Sequence, residues 1–456
     1  MSYVAGKELT RGKTKVVCAT NQEDVVVLRN LANITANDDP NVTKQFKAKA
    51  IAATTTTCRV FELLRAAGVP VAYIEQVLPT SFAAHRCTMV PLEAVARRYA
   101  VGSYLKRHPE MAETSPPYRF ACLETELFLK TTNGHCVLSD GQDHNLELDP
   151  SKGQEDPLLV AAGDRWLLRH AKKPAWQDDA VLGTLDPSLL QYDTATINRL
   201  LRRVFLVLEG AWATLGWRLV DLKIEVGITA DGQLVVADVI DNDSWRLRDP
   251  DWQEMSKQVF RDQIAYGAVD LDDIAWRYKH VAGLTSQFRI PRQAVVLWLG
   301  SSSDEPKVMG DLKKTIGKIT AGAEVIKIVL SGHRQSQSVL QAISLIESDY
   351  PEGGVIIACV GLSNGLGPVV SAHTHWPVIN LPLTPEDVMS SLRLPGRVPA
   401  TTALNLSNAV HQAMQILGQR NPVAYAMARE LAEADTGLPV GTTITDIAPP
   451  VSLARE

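Results

Sequence analysis

The sequence predicts an α+β domain followed by an α/β domain built on a parallel sheet, and three observations predict it. Its 456 residues exceed the ~100–200 of one ordinary domain, so two or three cores are expected. Up to about Leu284, strand-like runs (VVVL from Val25, LVDLKIEVG from Leu219, LVVADVI from Leu234) mix with helical stretches such as ATINRLLRRVFLVLEGAW. There Leu201, Val204, Phe205 and Leu208 recur at helical spacing. From Ala294 the texture changes: AVVLWLG, EVIKIVL, GVIIACVG and PVINLPL alternate with helical segments, the rhythm of parallel strands with crossover helices.

Gly283 to Gln293 has turn formers, a proline and no periodicity, and reads as the linker. We divide the chain into residues 1–285, residues 294–420, and a C-terminal helix with a loose tail over 421–456. The stretch from Thr131 to Pro174, polar and broken by glycine and proline, reads as an insertion or loose segment.

Composition excludes several classes. With 46 Lys+Arg against 51 Asp+Glu the net charge is −5, so no bulk attraction toward nucleic acid or an anionic membrane is expected, and any anion site must be built locally. The six cysteines show no C-x-x-C pair or zinc spacing. Lys7 interrupts the amino terminus before a signal-like apolar region forms, and the longest apolar runs fall far short of the ~20 residues of a membrane span. A cytosolic protein with reduced thiols is expected.

The first chemical signal is a carboxylate hairpin. Strand alternation puts Asp221, Lys223 and Glu225 on one face. Asp231-Gly232 favours a two-residue turn; pairing Ala230 with Gln233 would set Glu225 opposite Asp238. Like charges so placed repel, and Mg²⁺, which takes a few carboxylates and completes its shell with phosphate oxygens and water, is the natural compensating cation. A solvent-facing sheet with scattered acids, or a plain Lys223–carboxylate pair, is the structural alternative. The strand leads into DNDSWRLRD, which adds Asp241, Asp243 and Arg246. RGKTKVV sets Gly12 between basic residues so that Lys13 or Lys15 can approach phosphates, and ARRYAVGSYLKRHP supplies Arg97, Ser103, Lys106 and Arg107 around a glycine. Alone, the first reads as an exposed basic hairpin loop sooner than as a phosphate site, and the second also reads as a solvated basic helix end.

Together, RGKTK, VGSYLKR, ELFLK, DLKIEVG and ADVIDNDSWRL, in this order, closely resemble the SAICAR synthetase family of purine biosynthesis over most of residues 1–285. The resemblance implies that ATP activates the carboxylate of carboxyaminoimidazole ribonucleotide (CAIR) and that L-aspartate supplies the amine of the new amide. It further implies ATP at Lys13, Lys15, Glu225 and Asp238, and Mg²⁺ at Glu225 and Asp238. Substrate phosphate would fall to Arg97, Ser103 and Arg246, further substrate contact to Asp243, carboxylate recognition to Lys106 and Arg107, and a catalytic role to Lys130. The sequence departs from the family where Lys130 is followed by Thr131 and Thr132, where the acid-proline-x-Trp reads Lys173-Pro174-Ala175-Trp176, and at Asn37-Asp38-Asp39-Pro40.

In the second domain three strand runs end in small polar loops: Gly300 to Asp304, Ser331 to Arg334, and Gly361 to Pro368. Ligands of open α/β sheets bind at that carboxyl edge. A serine-rich loop opening a helix suits an anion, and an imidazole's ordinary titration near neutral pH suits His333 to proton transfer. GSSSD, SGHR and GLSNGLGP with PVINLPLT resemble the animal-type aminoimidazole ribonucleotide (AIR) carboxylases. The resemblance implies a flavodoxin-like three-layer fold and CO2 addition to AIR without biotin or ATP, with His333 as proton shuttle. Ser301, Ser303, Asp304, Arg334, Ser363 and Asn364 would then hold substrate. Here the family's alanine and arginine are Gly332 and Leu362. The two resemblances together imply a bifunctional enzyme, homo-octameric around its carboxylase domains. A divergent, inactive relative serving as scaffold or ligand-binding subunit is the other reading.

Overall fold

The computed structural model describes residues 3–35, 43–45, 47–112, 116–267, 269–306, 308 and 322–434. Three larger sheets organise them. The first is antiparallel, with Glu8–Arg11, Lys15–Ala19, Val25–Asn30, Ser81–His85 and Tyr73–Leu78 in that spatial order. The helix Lys47–Ala66 covers it, burying Phe61 and Leu64 against Val26, Leu28 and Phe82.

At Arg86 the chain crosses into the second sheet. Its eight strands centre on Cys87–Tyr99 and Arg218–Thr229, which pair antiparallel from Cys87 to Arg97. Leu234–Ala237 pairs with the last third of Arg218–Thr229, and Trp245–Arg248 pairs with its beginning. One long strand thus serves two short partners, and the chain must leave the sheet between them, at Asp238 to Ser244.

Part of the segment 131–174, expected to be inserted or loose, is built into this sheet, while His135–Val137 and Asp143–Asn145 pair in a small sheet of their own. Leu158–Ala162 and Arg165–Arg169 form a hairpin at its edge, and Leu158 pairs with Phe128. The physical reason is legible in retrospect: Leu159 and Leu168 stand opposite each other and are both buried, and Gly163, at φ 62°, takes the left-handed conformation that a two-residue turn demands.

The helix Thr194–Thr214 lies on the same sheet. Val204 to Trp212 are buried on every side of that helix, which is explained by its second neighbour: the C-terminal helix Pro422–Ala434 covers its outer face.

The third sheet is wholly parallel, in the order Glu324–Val329, Ala294–Leu299, Gly354–Val360, Val378–Pro382, Thr401–Thr402. Its central strands are apolar and buried throughout, as expected of strands covered on both faces. The helices Ser336–Asp349, Leu366–His373 and Leu406–Leu417 follow the strands. Strand order reverses between Ala294–Leu299 and Gly354–Val360, the position where doubly wound sheets bind ligands. The flavodoxin-like expectation matches this order.

Candidate active sites

Where the two antiparallel sheets meet, a cavity of about 400 Å³ is lined by apolar residues from both, among them Val17, Leu28, Phe82, Ala84 and Met89, and by Lys15, Lys130, Glu225 and Asp238. Lys15 donates to Asp238, and Lys130 Nζ lies 2.7 Å from Glu225 Oε2. Four residues distant in sequence thus form two lysine–carboxylate pairs at one opening. Burial works against the charge on Lys15, but Asp238 and Glu225 outweigh it and hold its pKa above the ordinary value. Gly12 also lines the cavity, whereas Lys13 stands exposed in the turn and is not among its walls.

The hairpin register corrects the sequence reading. Thr229 N donates to Gln233 O, enclosing three residues rather than two, and Gly232 at φ 84° closes the turn. Glu225 therefore pairs with Ala237, not with Asp238. Thr229 Oγ1 decides the matter by accepting from Gln233 N, which tightens the longer loop. Glu225 does face a carboxylate across the sheet, but it is Glu93, on the other neighbouring strand. Lys223 lies between them, 2.6 Å from Glu93 and 3.9 Å from Glu225. Asp238 reaches the cavity differently: it sits just past the strand end at φ 63°. That left-handed residue turns the chain out of the sheet.

A second cluster lies four residues back along the same strand, ~13 Å away at the usual rise. Arg97 donates to Asp221 (2.7 Å), Glu126 (2.7 Å) and Ser103 (3.2 Å), and Arg246 donates to Asp221 as well. The expected trio Arg97, Ser103 and Arg246 is therefore assembled. Lys106 and Arg107 are not assembled with each other. Consecutive helical residues diverge by about 100°, so Lys106 faces solvent while Arg107 is buried on Glu126 and the Ala171 carbonyl. Burial, then repulsion from Arg97, pushes Arg107 down to about 10.

Asp243 also departs from expectation. Lys49 and Lys257 each lie 3.0 Å from its carboxylate, and Tyr278 donates to it. Its charge is met by protein groups, which hold it well below the usual carboxylate range despite burial. Burial and the neighbouring Asp243 push Asp241 up to about 6. Sequence reasoning missed Glu93, Glu126, Lys49, Lys257 and Tyr278. Only ELFLK, which contains Glu126, lay inside a recognised motif. Asn37 to Pro40 lie outside the described residues.

In the parallel domain the three loops do converge. The His333 ring rests against Gly365, leaving no room there for a side chain, and Gly332 approaches the Gly365 carbonyl so closely that an added Cβ would stand 2.6 Å from it. The glycine in place of the family's alanine is required by this contact. His333, Arg334 and Ser363 are exposed. Ser301 Oγ accepts from Ser303 N, and Asp304 is buried beside Gly300. Asn364, expected in the pocket, braces the loop instead: it accepts from Gly367 N and donates to Ser391, and its backbone N donates to Ser390. Leu362 stands exposed at φ 67°. Residues 305, 306 and 308 are helical, and the remainder of the stretch where the sequence leads one to expect a helix after the serine loop lies outside the described residues.

A cavity of about 400 Å³ bordered by charge-paired lysines, followed by an open parallel sheet with a histidine at its carboxyl edge, has the form of a two-domain enzyme with a separate site in each domain. Comparison with known proteins makes this particular. The SAICAR synthetase family model matches residues 8–138 and 171–274, and the AIR carboxylase model matches residues 294–436. The probable multifunctional protein ADE2 of Caenorhabditis elegans is 33% identical over 436 residues, 91% of each chain. The human bifunctional phosphoribosylaminoimidazole carboxylase/phosphoribosylaminoimidazole succinocarboxamide synthetase is 32% identical over 450 residues, 93% of each. The phosphoribosylaminoimidazole-succinocarboxamide synthase of Chloroflexus aurantiacus is 36% identical over 287 residues, 62% of this chain and 97% of that one. The chain belongs to the family of bifunctional AIR carboxylase/SAICAR synthetases, enzymes of purine biosynthesis. It carries both activities.

Proposed function

We propose that the cavity at Glu225 and Asp238 is the synthase's ATP site and that the His333 edge is the carboxylase site. One observation carries the first reading: Lys15–Asp238 and Lys130–Glu225 border one apolar cavity large enough for a purine. The apolar walls would take the base and the lysines the phosphates. Mg²⁺ fits the donor set. Among the described residues no three His, Cys, Asp or Glu side chains gather as a metal site, but Mg²⁺ commonly uses one or two carboxylates and fills its shell with phosphate and water. Glu225 and Asp238 would hold it, and it would supply neutralisation of phosphate charge.

The Arg97–Ser103–Arg246 cluster would bind the phosphate of CAIR, placing the substrate's carboxylate toward Lys130. The amine of L-aspartate then forms an amide with that carboxylate, one carboxylate oxygen leaves with the phosphate, and ATP becomes ADP. Positioning and charge neutralisation supply most of such catalysis. In the other half CO2 replaces a ring hydrogen of AIR to give CAIR, and His333 takes that proton. Ser301, Ser303, Asp304, Arg334 and Ser363 would hold the nucleotide, without biotin.

Oligomerisation through the carboxylase half is supported by its exposed apolar residues, Leu345, Met389, Leu392 and Leu404. Light scattering that returned a monomer would refute the octamer. No helix among the described residues is long and apolar enough to cross a membrane, and all six cysteines are free thiols. We place the protein in the cytosol.

A reciprocal experiment tests the two sites. Asp238→Asn preserves the left-handed backbone, because asparagine tolerates positive φ, and removes only the charge. It is expected to lower SAICAR formation at least 100-fold while AIR carboxylation is unchanged. His333→Asn is expected to do the reverse. Ultraviolet assays with CAIR, aspartate and Mg-ATP, and with AIR and bicarbonate, read both; equal loss of the two activities in either variant would refute the assignment.

A further inference from the structure

The inserted segment after Lys130 returns to the synthase site through Asp156, and neither reaction above gives that residue a role. We propose that Asp156 is a positioning residue for Lys130: it fixes the backbone from which the lysine reaches Glu225. This deepens the ATP-site reading and rests on it.

The geometry is local and specific. Lys130 is the first residue beyond the strand Arg119–Leu129. Its N–H donates to Pro91 O at 2.9 Å, tying it to the neighbouring central strand. On the opposite edge Leu129 N donates to Pro157 O at 3.0 Å. One residue past the lysine, Thr131 N donates to Asp156 Oδ1 at 2.8 Å, and Asp156 N donates to Thr131 Oγ1 at 3.1 Å. Lys130 is therefore held between anchored peptides on both sides.

The lysine stem itself cannot supply this order. It has four rotatable bonds and a compact, strongly hydrated head, and the side chain is 41% exposed. What keeps Nζ 2.7 Å from Glu225 is the direction in which the backbone launches it. A strand end would ordinarily fray here, since Thr131 has no ladder partner on the central side. Asp156 replaces that missing partner with a side-chain acceptor.

Asp156 is itself held at φ 48°, a conformation that persists where surrounding contacts over-determine it. The contact also closes a loop of 25 residues, so it is made against chain entropy rather than by sequence proximity. The alternative is that Asp156 merely begins the edge hairpin Leu158–Arg169. A residue of that kind would affect stability and leave turnover per folded molecule unchanged.

The test uses the full chain. Asp156→Ala is expected to lower kcat for SAICAR formation about tenfold per folded molecule, since small misplacements of a reacting group are costly, with a lower melting temperature because alanine is strained at positive φ, while AIR carboxylation stays near wild type. Asp156→Asn, whose amide oxygen can still accept from Thr131 N, is expected to restore kcat to within about twofold. Thr131→Val, which removes the reciprocal acceptor, should slow synthesis about threefold and keeps the test valid if Asp156→Ala does not fold. Unchanged kcat in Asp156→Ala overturns the proposal, as does an Asp156→Asn variant as slow as the alanine. If Asp238→Asn keeps wild-type SAICAR formation, the ATP-site reading fails; if Asp238→Asn is inactive and the Asp156 variants match wild type, only the role of Asp156 fails.

Discussion

Gly102 shows how one residue can decide the shape of a side-chain cluster. Its φ is 62°, and the Arg246 guanidinium lies against its backbone where any Cβ would stand. A glycine serves both needs, being free at positive φ and leaving space for the fork. Gly102→Ala is expected to displace Arg246 from Asp221 and raise the KM for CAIR about tenfold, with the KM for ATP unchanged because the cavity at Glu225 is ~13 Å off along the strand. Equal changes in both constants would show that Arg246 is not a CAIR contact. Residue chemistry was the most legible level of the sequence: Lys15, Lys130, Glu225 and Asp238 do share one cavity. Their partners were less legible, because Glu93 and Lys49 have no local signature and acquire meaning only from who stands opposite.

Among elements, types were readable and registers were not. The runs at Val25, Leu219, Ala294 and Gly354 are strands, and the periodic stretch ending at Trp212 is a helix, because alternation and helical spacing are properties of the chain itself. The hairpin at Asp231-Gly232 differed by one residue. Two-residue loops are the commonest hairpin connections and three-residue loops with a left-handed glycine follow them; here the Thr229 hydroxyl accepts from Gln233 N and supports the longer one. The one-residue difference moved Glu225 from Asp238 to Ala237, yet both acids still reach the cavity, because a left-handed turn at Asp238 restores what the register removed. The edge hairpin of the insertion escaped notice because flanking glycine and proline mask a pair of short, weakly alternating strands.

At the scale of the molecule the two halves are interlocked. The side chain of Glu433, on the helix that follows the carboxylase sheet, is only 2% exposed and pairs with Arg98, Arg202 and Arg429, each at 2.7 Å, while accepting from Leu123 N at 2.9 Å. Arg98 is itself fully buried and also holds Glu209. Removing one partner of such a cluster strands the others, so Glu433→Ala is expected to cost about 3 kcal/mol, read as a lower melting temperature of the synthase half. Unchanged melting would show that the helix is not a structural part of that half. Burial opposes the charge on Glu433, but Arg98 and the Leu123 N–H outweigh it and keep its pKa below the usual 4.5. The stabilisation is therefore complete above that value and lost as pH falls through the lowered one. Glu433→Gln should remove this part of the acid sensitivity, measured by thermal unfolding across pH 3 to 6.

The two fold classes, the order of the halves and most of the residues that chemistry requires are legible in the chain alone, since composition, periodicity and motif order are carried by neighbours along it. Which acid faces Glu225, that the insertion ties down the backbone beside Lys130, and that the last helix completes the first domain emerge only once the chain is folded. Each of these is a contact between residues far apart in the chain, fixed by side-chain burial and by which unpaired backbone group finds a partner, and no local pattern encodes that.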